Sequence, residues 1–134
     1  MQVKIGDIGE ATMIVKPEDS AKALSLEPED DFPEVFATSR MIALMELAAS
    51  RLMRSLLQPG QLSVGVRIDV RHSAATPLGA EVRAKATFVE REGEMYRFEI
   101  EAFDDGGSIG KGSHVRAIVG TERLVAGARE RVKS

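Results

Sequence analysis

FPEVFATSRMIALMELAASRLMRSLL, residues Phe32–Leu57, is the stretch whose reading decides the fold. Thr38 and Ser39 both suit the N-cap of a helix, where a side-chain oxygen accepts from a free backbone N–H. At about 100° per residue, Met41, Ile42, Met45, Ala49, Leu52, Met53 and Leu56 fall on one continuous arc, while Ser50, Arg51 and Arg54 lie away from it. Glu46 lands at the edge of that arc and is expected to be half-buried. The position one turn on is Ser50, so Glu46 has no basic partner at i+4 on its own helix. Gln58-Pro59-Gly60 signals the helix end.

Outward from this helix the chain reads mostly as strand. A first strand is expected around Glu10–Lys16, stopped by Pro17. Residues 17–37 hold three prolines and the acidic run EPEDD, which makes a long loop of the kind that often forms a lid. Phe32 and Phe36 close it, either stapling the loop to the core or lining a ligand pocket. After the helix, LSVGVRIDVRH (Leu62–His72) alternates, with Leu62, Val64, Val66, Ile68 and Val70 on one face and Arg67, Asp69 and Arg71 on the other. By that parity His72 shares the apolar face, which the helix and Glu46 must also cover. A histidine there is ordinarily a packed structural residue, but a carboxylate facing it makes a reactive pair conceivable. Gly65 inside the strand marks a bulge or a close approach by another group.

Ser73–Gly79 is a turn. Two further strands follow, with Val82, Ala84, Ala86 and Phe88 inward on one and Tyr96, Phe98, Ile100 and Ala102 inward on the next; Arg91–Glu94 and Asp104–Gly107 are the turns that follow them. In the last strand, Ser108–Gly120, Val115, Ala117 and Val119 share one face and Gly110, Gly112, His114 and Arg116 the other. His114 reads as a surface or packing histidine, and the polar tail from Thr121 as peripheral. The order is strand, long loop, long helix and four antiparallel strands. It is an α+β domain spanning residues 1–134, one antiparallel sheet wrapped round one helix. One helix cannot cover both faces of such a unit, so pairing with a second copy and a pocket at the shared boundary are expected.

Composition narrows the functions. With no cysteine and two histidines in 134 residues, thiolate zinc sites, redox pairs and cysteine nucleophiles are excluded, and no metal site is expected. Net charge is −3, without a basic stripe, and only 4% of residues are aromatic, which argues against a nucleic-acid surface. The N-terminus lacks a secretory pattern, and no apolar run approaches the roughly 20 residues that span a bilayer. A cytoplasmic protein with no membrane partner is expected.

Three segments in order, FPEVFATSRMIALMELA, VRHSAATPLG and GKGSHVRAIV, make the chain resemble the hotdog-fold acyl-CoA thioesterases, and more narrowly the fluoroacetyl-CoA thioesterase-like group. The resemblance runs from about residue 5 to 120. It implies the hotdog fold, a homodimer or a larger oligomer, an active site at the dimer interface, an acyl-CoA substrate and no separate cofactor. By position it implies Thr38, Glu46 and His72 as catalytic. It also implies Phe32 as a gate, with Phe36 two residues before the threonine in the same substrate-binding segment, Gly65 as the glycine that approaches the acyl group, and Arg116 as the arginine of the last strand.

The chemistry of these groups fits thioester hydrolysis, which needs an activated nucleophile, a stabilised oxyanion and a proton for the departing thiol. Glu46 can act as base or nucleophile, Thr38 can supply a hydroxyl beside the free N–H groups of a helix start, and His72 can carry protons. Thr38 and Glu46 are eight positions apart, about 12 Å of helix rise, so they cannot touch along one straight helix. Arg71, Arg83 and Lys85 could meet the phosphates of CoA or form an ordinary solvated face. A non-catalytic acyl-CoA-binding module is the other reading. A hotdog hydratase would want a GD-x-N-P-x-H segment, which is absent. Acyl-chain identity is left open.

Overall fold

The computed structural model describes residues 2–133. Its elements in chain order are β1 (Ile8–Ile14), α1 (Thr38–Met53), β2 (Gln61–His72), β3 (Glu81–Glu92), β4 (Met95–Asp104), β5 (Gly107–Gly120) and α2 (Thr121–Arg131). The strands form one antiparallel sheet in the order β1-β3-β4-β5-β2. The sheet curls around α1, which packs chiefly against β1 and β3. This is the expected α+β arrangement.

The buried stripe of α1 is Met41, Leu44, Met45, Ala48, Ala49 and Met53. It is rotated from the expected arc. Leu44 and Ala48 are fully covered, while Ile42 and Leu52 are only half-buried. The reason is the contact with β1. A Cβ on Gly9 would overlap the carbonyl oxygen of Ala48 and crowd Leu52, so helix backbone lies directly on strand backbone there. Only small residues permit that approach, and they pull the alanine side of the helix inward. Arg51 ties the same junction by donating from Nη1 to the Glu10 carbonyl at 3.0 Å.

The expected alternation of β3 and β4 holds. Val82, Ala84, Ala86, Phe88, Phe98, Ile100 and Ala102 are buried, and Phe88 and Phe98 meet edge to face. The first strand differs from expectation, running Ile8–Ile14 rather than Glu10–Lys16. A turn at Gly6, with φ 94°, starts the pairing early, and Val15 donates instead to the Ala80 carbonyl beyond the strand. The helix does not end at Gln58 as one α-helix: α1 stops at Met53 and a 3-10 turn, Arg54–Leu56, finishes it.

Two departures matter for the site. In β2 the ladder to β5 shifts register between Gly65 and Arg67, leaving Val66 as a bulge. The bulge flips the parity read from the sequence. Ile68, Val70 and His72 face the helix as expected, but on the N-terminal side Ser63 and Gly65 face it, and Leu62 and Val64 point away. In β5 the helix-facing side is the one that carries Gly110, Gly112, His114 and Arg116. The peripheral tail forms the helix α2, none of whose residues is buried.

The long loop is ordered. Ala21 donates to the Val35 carbonyl, Lys22 to Pro33 and Ala37 to Asp19, so its two arms pair, and Phe36 donates to Thr76. Phe36 is buried while Phe32, nearer the tip, is exposed. Replacing Gly9 by alanine is expected to force α1 off β1 and destabilise the fold by about 1–3 kcal/mol. A urea denaturation midpoint equal to that of the wild type would contradict this packing.

Candidate active site

Two clusters of polar side chains flank α1, one at its start and one at its middle. At the start, Thr38 is the first helical residue and Ala37 occupies the N-cap; no side chain caps the first turn. The expected capping role of Thr38 and Ser39 is therefore not realised. The hydroxyl of Thr38 lies 2.8 Å from Nδ1 of His72, the last residue of β2. Thr38 is exposed and His72 half-buried. The other ring nitrogen, Nε2, is buried and has no hydrogen-bond partner among the described residues. A cleft of about 390 Å³ opens beside the pair, lined by Pro33, Val35, Phe36, Ser73 and Ala74 among others. The uncapped N–H groups of the first turn and the positive end of the helix dipole adjoin it.

At the middle of α1, Glu46 is 40% exposed at its side chain, half-buried as the sequence implied. Its partner is 70 positions away: Nη1 of Arg116 donates to Oε2 at 3.2 Å. Arg116 is almost wholly buried, and every side of it is engaged. Nε donates to the Ser63 hydroxyl at 3.0 Å, Nη2 to the Ser63 carbonyl at 2.9 Å, and Nη1 also reaches Nε2 of His114 at 3.1 Å. The far nitrogen of His114, Nδ1, is 2.9 Å from the Arg67 carbonyl. A carbonyl can only accept, so Nδ1 carries the hydrogen and Nε2 offers its lone pair to the arginine. Gly65 completes the group, since a Cβ there would overlap Oε2 of Glu46 and press on the His114 ring. The bulge in β2 that brings Gly65 and Ser63 to the helix side is what makes this cluster possible.

The electrostatics follow from burial. Desolvation pushes His114 below the usual imidazole value of 6.5; the bond to Arg67 opposes this, the Arg116 charge reinforces it and Glu46 opposes it. Desolvation also lowers Arg116, and the charge and hydrogen bond of Glu46 act against it. A guanidinium stays charged regardless, so this corner holds a buried cation facing one carboxylate.

The sequence-derived site residues thus divide into two groups. Thr38, His72 and Phe36 share the cleft, with Phe32 exposed on the adjoining loop. Glu46, Gly65 and Arg116 share the second cluster. No hydrogen bond or ion pair joins Glu46 to His72 among the described residues, so the pairing anticipated between them does not occur within one chain. His114 and Ser63 are the residues that sequence reading missed. The helix-facing parity shared by His114 and Arg116 was the available signal. Among the described residues no group of three His, Asp or Glu could hold a metal ion, and no helix is long and apolar enough to cross a membrane.

Comparison with known proteins follows the same lines. A family model described as fluoroacetyl-CoA-specific thioesterase matches residues 15–122, a span that contains both clusters. A fluoroacetyl-CoA thioesterase of Streptantibioticus cattleyicolor is 36% identical over 131 residues, covering 96% of this chain and 94% of the relative. The solved structure of a fluoroacetyl-CoA thioesterase superposes with a TM-score of 0.93 at 36% identity, covering 99% of this chain and 100% of that one. A hot-dog-like protein from Thermanaerovibrio acidaminovorans superposes at 0.80 with 26% identity, covering 97% and 93% of the two chains.

The neutral burial of His114 has a consequence for stability. Between its lowered folded value and 6.5 the unfolded chain binds a proton that the folded chain does not, so stability rises with pH there and is lost on acidification below about pH 6.5. One such proton contributes a slope of up to about 1.4 kcal/mol per pH unit. His114→Gln is expected to flatten the dependence of unfolding free energy between pH 7 and pH 5, measured by urea titration. Equal slopes in variant and wild type would contradict a neutral buried His114.

Proposed function

The chain belongs to the fluoroacetyl-CoA-specific thioesterase family and is an acyl-CoA thioester hydrolase; we propose that it hydrolyses short acyl-CoA thioesters at a pocket completed by a second copy of itself. In this reading Thr38 and His72 come from one copy and Glu46 from the other. The observation that carries it is the Thr38 hydroxyl held 2.8 Å from Nδ1 of His72 at the wall of the cleft; Nε2 has no partner among the described residues and is covered within one chain, so the imidazole must turn as the second copy docks to meet a group from it. A nucleophile in contact with a base, the base wanting a third group to orient it, is the arrangement used for acyl transfer. Glu46 answers to that third group. Arg116 takes its Oε2, while Oε1 carries no hydrogen bond among the described residues. The 12 Å or so of helix between Thr38 and Glu46 supports taking it from another copy.

Oγ1 of Thr38 adds to the thioester carbonyl carbon as Nδ1 of His72 takes its proton. The first-turn N–H groups of α1 receive the developing oxyanion. Collapse breaks the C–S bond, and CoA leaves as the thiol with the proton from His72. Water then adds to the acyl-threonine, His72 takes its proton, and the free acid departs as Thr38 regains its hydrogen. In this reading Phe36, which lines the cleft, meets the acyl group, and Phe32, exposed on the adjoining loop, is the gate. CoA is part of the substrate, and no step passes through a further cofactor or a metal.

The second copy is proposed along β2. Among the described residues that strand pairs with β5 alone and leaves its other edge free, and Leu62, Val66 and Ile68 are exposed on it. A long apolar edge left unpaired invites strand addition, and a two-fold pairing satisfies both copies. Fluoroacetyl-CoA and acetyl-CoA are the substrates to try first, because the family relative is named for the former.

Thiol release from these esters tests the reading. Thr38→Ala, His72→Ala and Glu46→Gln are each expected to lower kcat/KM on the order of 10²-fold or more, in proteins that still fold. Full activity in any of the three would remove that residue from the mechanism. Saturable acyl-CoA binding without thiol release in the wild type would instead mark a binding module.

A further inference from the structure

Deepening that reading of Glu46, we infer that His114 is a positioning residue: its neutral imidazole holds the Arg116 guanidinium, and the guanidinium aims Glu46. Nothing in the catalytic assignment uses His114, yet it is among the most completely buried polar groups in the chain, 1% exposed. Buried imidazoles packed for bulk alone have no need of a hydrogen bond at each nitrogen. This one has both, and the two are of opposite sense. Nδ1–H donates to the Arg67 carbonyl at 2.9 Å, beside the bulge, which fixes the tautomer. Nε2 therefore accepts from Nη1 of Arg116 at 3.1 Å.

The arginine is consequently pinned before it meets Glu46. Ser63 takes Nε and Nη2 through its hydroxyl and carbonyl, and His114 takes one Nη1 hydrogen. The remaining Nη1 hydrogen points at Oε2 of Glu46. A guanidinium is planar, so three fixed contacts determine the direction of the fourth. The consequence reaches the carboxylate. With Oε2 held in the space that Gly65 leaves open, Oε1 is the oxygen left without a hydrogen bond among the described residues. Phe98, the register partner of His114 on β4, packs beside the imidazole with its ring centroid 6.5 Å away. Removing the acceptor at Nε2 would leave a buried N–H unsatisfied and free the guanidinium to turn. A displacement of about 1 Å in an orienting group costs up to the order of 10²-fold in rate.

Three substitutions separate positioning from packing. His114→Gln can return an acceptor oxygen to the place of Nε2. His114→Asn can return only the donor to Arg67, and His114→Leu returns neither. Steady-state hydrolysis of acetyl-CoA or fluoroacetyl-CoA would be measured for each, with thermal melting to establish folding. Asn and Leu are expected to lower kcat at least tenfold with KM within threefold, because substrate binding does not use His114. Gln is expected to hold kcat within threefold of wild type. Equal kcat in all three folded variants, whether unchanged or equally reduced, would overturn the inference. So would a fall confined to KM. Should Leu fail to fold, the Gln–Asn comparison decides alone. Glu46→Gln, assayed alongside, keeps the two readings apart. If it retains full rate, the catalytic assignment of Glu46 fails and the inference fails with it; if it is impaired while the His114 variants are indistinguishable, only the inference fails.

Discussion

A buried cation on the last strand is the constraint from which the site follows. Arg116 lies under the sheet's edge almost without solvent, and a charge in that position is tolerated only if its donors are matched. The chain meets this with Ser63, His114 and Glu46. Each answer has a structural cost. Ser63 reaches the arginine only because a bulge at Val66 turns the first half of β2 over, and Glu46 fits only because Gly65 has no side chain. The exposed apolar residues Leu62 and Val66 accompany the same bulge. The polar cluster and the unpaired edge proposed to meet a second copy are thus consequences of one local irregularity.

The second constraint is the close seating of α1 on β1 through Gly9 and Ala48. It fixes the rotation of the helix, and with it which residues flank the buried stripe. Thr38 and Glu46 then fall at two separate places on the helix. Thr38 meets the end of β2 and Glu46 meets β5 through Arg116. A helix of this length, fixed on one sheet, cannot bring the two together. The proposal of a second copy answers that separation.

Much of this was legible from residues alone. The 3.6-residue pattern of Met41–Met53 and the alternation of Val82–Phe88 and Phe98–Ala102 state a long helix on an antiparallel sheet, and that sheet is found. The family resemblance implied Thr38, His72, Phe36, Glu46, Gly65 and Arg116, the members of the two clusters other than His114 and Ser63. What escaped was anything that depends on a break in periodicity. A single extra residue at Val66 reverses the faces of β2, and Gly65 announces a bulge without saying which side it serves. Helix spacing points Glu46 to Ser50 and strand parity points it to His72, whereas its long-range pairing with Arg116 depends on strand order. Thr38 looked like a cap because hydroxyls at helix starts usually are; its bond to His72 is a tertiary fact.

The division of the site between two chains is the central claim, and subunit mixing tests it most directly. Thr38→Ala and Glu46→Gln proteins, each inactive alone, would be unfolded together, refolded and assayed for thiol release from a short acyl-CoA. If Thr38–His72 and Glu46 come from different copies, random pairing makes one intact site in each mixed dimer, and activity returns to about a quarter of the wild-type value. If both groups serve a site within one chain, every pairing leaves each site broken, and mixing restores nothing.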